Sequence, residues 1–360
     1  MKGLVRHFSP AWFAAVMGTG GFANVLYQWG ARLPALRWLA VGLAWLNVLM
    51  FILLLIPWIM RWFTHFDRLK EDLHHPVMGN FFVTMPVGAV ILGTNATLMG
   101  GAFLGKPLVF LIALVAWLVG TAGALVFGVY GSVVMMRAEQ TPAQMMNFSW
   151  LISPVASIVV PLIGNPLVSM LKVSNPFLAK TVMLINLSFF GLGFLLFLFI
   201  GGIIFTRLAQ HPLPPAPMAP TFWITLGPIG VGTVSLMGLA DSMQSLGMLG
   251  AVDTVYLFAT ALWGLGLWAI GVAILITGQY YKHNGIPFSL SWWAFIFPLA
   301  AYSLASLKVA AYFTSPLATW YAGLVAALLA VLWTISFVRT LTGSLNGVLF
   351  QPPQQPRPAA

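Results

Sequence analysis

The chain reads as an all-α integral membrane protein of ten transmembrane helices, and three observations carry that reading. Of its 360 residues, 60% are hydrophobic and only 6% are charged, whereas soluble domains hold about 25% charged residues. Charge-free stretches recur at 7–31, 38–60, 73–105, 107–136, 140–171, 181–206, 208–240, 254–281, 283–307 and 309–338. Each suffices for one bilayer span of roughly 20 residues, and none for two. Stretches such as GLGFLLFLFIGGIIF are apolar all round, whereas a barrel strand alternates in polarity over about ten residues; a β-barrel is excluded.

The chain opens MKGLVRHFSPAWF, basic residues ahead of an apolar run, as in a signal peptide. The run lacks a small-x-small cleavage site, so it is expected to be retained as span 1. Spans 3, 5, 7 and 9 contain MPVGAVILGTN, SPVASIVVPLIGN, GPIGVGTVSLMGL and FPLAAYSLASLK. Their prolines Pro86, Pro154, Pro228 and Pro298 recur at intervals of 68, 74 and 70 residues. Span 1 carries Gly18 and Gly20 in MGTGG instead, with Pro10 at its start. Spans 4, 6, 8 and 10 have no interior proline, and span 2 has only Pro57 near its end.

An interior proline removes a backbone hydrogen bond and kinks a helix, and in lipid the freed carbonyl needs a partner or water. The expected architecture is therefore five helical hairpins in a pseudo-fivefold arrangement. Kinked odd helices line a central pore, and smooth even helices face lipid. Residues 1–345 form one ten-helix domain, HPLPPAPMAP at 211–220 is a stiff link, and 346–360 is a disordered cytoplasmic tail.

Ten spans put both termini on one side. That side holds Lys2, Arg6, Arg61, Arg68, Lys70, Arg137, Arg207, Lys282, Arg339 and Arg357. The other holds Arg32, Arg37, Lys106, Lys172 and Lys180, with Lys308 at its edge. The excess of Lys and Arg assigns the termini to the cytoplasm of a multi-pass protein of the plasma (inner) membrane.

No Asp or Glu falls within an apolar core, and the net charge is +10; buried carboxylates mark most proton and cation pathways. The inner spans offer Thr94, Asn95, Ser157, Thr233 and Ser303 as neutral hydrogen-bond donors, and Lys308 as a cation. The solute is expected to be anionic or neutral. Lys308 lies ten residues past Pro298, about 15 Å of helix. It either snorkels to the outer surface or makes the outer mouth electropositive, with Asp241 as its balance. Absence of cysteine excludes thiol chemistry. The six histidines cluster at span ends without metal-ligand spacing, so no metal or cofactor is expected. A membrane-embedded enzyme needs a nucleophile and a base at one depth, which no mid-span set provides, and nothing points to nucleic acid.

FSPAWFAAVMGTGG, HHPVMGNFFVTMPVGAVILGTN and WWAFIFPLAAYSLASLK resemble, in order, the signatures of the tellurite-resistance/dicarboxylate transporter family. Its members include bacterial tellurite-resistance proteins, fungal malate permeases and sulfite pumps, and plant slow-type anion channels. The resemblance spans residues 7 to about 340. It implies ten helices as five hairpins, inner helices lining a pore, and a homotrimer with one pore per subunit. It also implies a phenylalanine on span 9 plugging the pore. Phe297, next to the span-9 proline, takes that role, with Phe295 as the fallback. The implied function is passage of small anions or malate-like C4-dicarboxylates; the alternative is a proton-coupled dicarboxylate carrier.

Overall fold

The computed structural model describes residues 5–137, 142, 145–283 and 285–350. Lys2, Arg357 and the tail from 351 onward lie outside the described residues. Among those described, the chain forms helices and no strand. The α-helices are α1 (Phe13–Trp29), α2 (Ala35–Thr64), α3 (Phe66–His74), α4 (Thr84–Met99), α5 (Lys106–Arg137), α6 (Ile152–Leu171), α7 (Pro176–Gln210), α8 (Leu226–Ser245), α9 (Asp253–His283), α10 (Ile296–Tyr312) and α11 (Pro316–Leu345). Short α3, absent from the sequence-based expectation, is an amphipathic link that buries only Leu69.

Nine helices, counted with the 3₁₀ turns leading into some of them, are long and apolar enough to cross a membrane among the described residues. The first of the ten expected spans, α1 with its 3₁₀ lead-in Pro10–Trp12, is not among them. Its glycines, Asn24 and Gln28 lower its hydropathy. That is tolerated because the glycines and Asn24 are buried, as is most of α1.

Burial alternates along the chain. The spans containing α4, α6, α8 and α10 are 67%, 78%, 83% and 78% buried, whereas α2, α5, α7, α9 and α11 are 17–33% buried. The exposed faces of the second set carry large apolar side chains such as Leu53, Leu118, Phe199, Leu267 and Val331, which suit hydrocarbon. Each buried helix pairs with the long helix that follows it. The buried helices also close a circuit: α1 packs on α4, α4 on α6, α6 on α8, α8 on α10, and α10 back on α1.

The repeated prolines do not kink helix interiors as expected. Pro86, Pro154, Pro228 and Pro298 are each the third residue of an α-helix: α4, α6, α8 and α10. A 3₁₀ run precedes each helix: Met78–Phe81, Phe148–Leu151, Ala216–Thr225 and Leu290–Phe295. The first amides of a helix have no intrahelical acceptor, so proline's missing N–H costs nothing there. The prolines mark where a 3₁₀ entry becomes a membrane-depth α-helix. Interior prolines occur instead at Pro57 in α2 and at Pro161 and Pro166 in α6.

A second recurrence runs along the exposed helices. Asn47, Trp117, Asn186, Trp263 and Trp333 stand 70, 69, 77 and 70 residues apart, one on each of α2, α5, α7, α9 and α11. Asn47 donates to Asn95 Oδ1 at 3.2 Å, Trp117 Nε1 to Asn186 Oδ1 at 2.8 Å, Trp263 Nε1 to Ser306 Oγ at 2.9 Å, and Trp333 Nε1 to Thr19 Oγ1 at 3.1 Å. The last of these ties the final helix to the first. With no hydrophobic drive between helices in lipid, such bonds and close packing hold a bundle together.

At the end of the molecule that carries the termini, Arg61 is buried and donates to the Phe8 carbonyl at 2.7 Å and to Asp72 at 2.6 Å. This pins the N-terminal segment to α2 and α3. The turn Val348–Phe350, within the stretch expected to begin the tail, stacks Phe350 on Trp12 at 5.2 Å.

Candidate functional site

Each of the five buried helices contributes to two separate cavities, and in the same order along every helix. The inner cavity, of about 50 Å³, is lined by Ala14 and Met17 of α1, Thr84 of α4, Ile152 and Val155 of α6, Gly227 of α8, and Phe297 and Pro298 of α10, with Trp293 and Ala294 from the preceding turn. The outer cavity, of about 470 Å³, is lined by Asn24 and Gln28 of α1, Thr94 and Thr97 of α4, Leu162 and Asn165 of α6, Val234 and Gly238 of α8, and Leu304, Leu307 and Lys308 of α10, with Arg32 just after α1. From Phe297 in the first to Leu304 in the second is seven residues, about 10 Å of helix. The two cavities share no lining residue.

The two cavities differ in chemistry. Hydrocarbon and aromatic side chains dominate the inner one. The outer one holds amides, hydroxyls and two cations. Asn24 is oriented by its neighbours: its amide donates to Thr94 Oγ1 at 3.0 Å, and its Oδ1 accepts from Asn95 at 2.7 Å. Asn95 also donates to the Gly20 carbonyl at 3.0 Å. Gly20 permits this close approach, since a Cβ there would lie 2.9 Å from Asn95 Oδ1 and would also collide with Asn47. Lys308 faces Asp241 at 3.8 Å. Arg32 lies over the Trp29 ring at 5.3 Å. Among the described residues no cluster of His, Asp or Glu could hold a metal ion.

Phe297 and Phe295 part company. Phe297 lines the inner cavity, and its ring reaches α1, where a Cβ on Gly21 would lie 3.7 Å from it. Phe295 is buried edge-on between Trp223 and Trp292, with centroids at 5.5 and 5.6 Å.

A family model described as voltage-dependent anion channel matches residues 7–341. The chain belongs to that family. An uncharacterized transporter of Methanocaldococcus jannaschii is 35% identical over 97% of this chain and 96% of its own length. A sulfite efflux pump of Trichophyton rubrum is 27% identical over 96% and 93%. A malic acid transport protein of Schizosaccharomyces pombe is 18% identical over 92% and 77%. The protein is thus similar, over nearly its whole length, to membrane transporters.

Within this anion-channel family member, the polar residues named from sequence separate into groups. Thr94 and Lys308 line the outer cavity together. Asn95 stands behind Thr94, in the network that orients Asn24. Ser157 lines a side pocket with residues of α5 and α7. Thr233 is fully buried and donates to the carbonyls of Ile229 and Ala259. Ser303 is fully buried in α10 and borders neither cavity. Gly18 packs against Trp293 and Ile296.

Sequence reading missed Asn24, Gln28, Arg32 and Asn165. Asn24, Asn95 and Asn165 stand 71 and 70 residues apart. That asparagine recurrence was a readable signal for a polar layer at one depth. In the sequence Arg32 is one of several cations on the side opposite the termini. The short α1 brings it onto the cavity wall.

Proposed function

We propose that the chain passes small anions along the axis joining its two cavities. In this reading ten spans form five hairpins in a pseudo-fivefold arrangement, α1 being the tenth span, sheltered from lipid by the others. The observation that carries the reading is that all five buried helices line both cavities. A hollow formed by chance packing would border two or three helices, as the groove between α1, α10 and α11 does.

Phe297 acts as the gate. An apolar constriction blocks ions by dewetting and needs no charge, and the inner cavity is apolar where Phe297 borders it. Lys308 and Arg32 make the outer cavity the anion-collecting end, and Asn24, Thr94 and Thr97 offer hydrogen bonds as hydration is shed. The volume of the outer cavity suits chloride, nitrate, sulfite or a C4-dicarboxylate such as malate, and relatives named for sulfite and malic acid support that range. Plasma-membrane location with cytoplasmic termini rests on the bias of Lys and Arg. Homotrimeric assembly rests on the family resemblance.

The test is flux of chloride, nitrate, sulfite and malate into vesicles holding the purified protein, with and without an uncoupler at fixed membrane potential. Passage of at least one anion that survives the uncoupler is expected. Arg32→Glu, which reverses a charge on the outer wall, is expected to cut that flux about fivefold at limiting anion concentration. Failure of all four anions to pass, even with Phe297 replaced by alanine, would refute the reading.

A further inference from the structure

Lys308 does not stand alone on the outer cavity. Asp241, near the end of α8, presents Oδ2 to its ammonium at 3.8 Å. The other oxygen of that carboxylate accepts from the Tyr256 hydroxyl of α9 at 2.7 Å. Tyr256 is itself braced: its ring lies 4.9 Å from that of Tyr312, whose hydroxyl donates to Asp253 at 2.8 Å. The carboxylate is therefore fixed from behind, and one oxygen is left for Lys308. Lys308 borders the cavity and Asp241 does not.

We infer that Asp241 is a resident counter-ion: it occupies Lys308 when the cavity is empty and yields it to an entering anion, and so sets how strongly the mouth draws anions. This rests on the outer cavity being the anion path. The geometry suits displacement rather than locking. The pair is long, at 3.8 Å, and its side chains are 39% and 50% exposed. An exposed ion pair of this kind contributes little, so an anion in the cavity competes with it easily. Arg32, which has no acidic partner among the described residues, carries no such brake.

The test uses the full chain in vesicles, with chloride, nitrate and sulfite as probes and four forms of the protein: wild type, Asp241→Asn, Lys308→Gln and the double variant. Asn keeps the shape of Asp241 and an oxygen for Tyr256. Asp241→Asn is expected to lower the half-saturating anion concentration about fivefold at low ionic strength, an effect that fades as salt screens it. Lys308→Gln is expected to raise it. In the Lys308→Gln background, Asp241→Asn is expected to change it less than about twofold, because its target is gone. An equal effect of Asp241→Asn in both backgrounds would overturn the inference, since the carboxylate would then act on the anion directly. No effect of Asp241→Asn, with Lys308→Gln still weakening uptake, would overturn it too while sparing the path. Normal flux untouched by either change would remove the outer cavity from the path, and the inference with it.

Discussion

Phe297→Ala is expected to raise anion flux about tenfold or more in vesicle or oocyte recordings. An anion crossing an apolar ring sheds water without replacement, which costs several kcal/mol. Each 1.4 kcal/mol removed from that barrier is worth about a factor of ten in rate. The ring borders a cavity of about 50 Å³, so its loss enlarges that cavity. Phe295→Ala is the informative comparison. Phe295 is locked between Trp223 and Trp292, so its truncation is expected to cost about 3–5 kcal/mol of stability without opening the path. Greater flux from Phe295→Ala than from Phe297→Ala, in protein of equal folded yield, would reverse the assignment.

The second large effect concerns how the buried helices meet. At Gly230 of α8, a Cβ would lie 2.6 Å from the Ala301 carbonyl carbon and 2.7 Å from Tyr302 Cα of α10, backbone atoms that cannot rotate away. Gly230→Ala must therefore push α8 from α10 along the circuit of buried helices. It is expected to destabilise the fold by at least about 2 kcal/mol, seen as a lower melting temperature in detergent and loss of monodisperse protein. Gly227→Ala, one turn earlier, is the control. Its nearest neighbours would be 3.6–3.8 Å away, ordinary contact, so its melting should be nearly unchanged. Equal losses from both would show that α8 and α10 are not in backbone contact.

Much of this fold was legible because lipid imposes simple rules. Sparse charge marks out the long apolar helices, nine of which among the described residues are long and apolar enough to cross a membrane, and the recurrence of Pro86, Pro154, Pro228 and Pro298 at 68 to 74 residues separates two kinds of helix, which burial then sorts into inside and outside. Proline's mechanical role was misjudged. Pattern alone does not show where an α-helix begins, and a 3₁₀ entry such as Leu290–Phe295 is as apolar as the helix it feeds. Of the cavity-lining residues, Thr94 and Lys308 were legible from residue type and position, and Phe297 from the family resemblance alone. Asn24 and Asn165 escaped because one buried asparagine looks like any other until its repeat partners are aligned. Ser157 and Thr233 lie on inner helices but face sideways, toward α5 and α7 and toward α9. Period alone cannot assign the face of a helix that is buried all round.

In the proposed function the two cavities belong to one passage closed at Phe297. The chain has no cysteine, so one introduced thiol is a unique reporter. The decisive measurement is labelling of Ala294→Cys at the inner cavity and Leu304→Cys at the outer one by a charged, membrane-impermeant thiol reagent applied to one face of oriented vesicles. With Phe297 present, only the cysteine on the treated side should react; with Phe297→Ala, the one on the far side should react as well, while Leu275→Cys on the exposed face of α9 stays unlabelled. If the far-side cysteine remains protected after the ring is removed, no continuous passage joins the cavities and the account is contradicted.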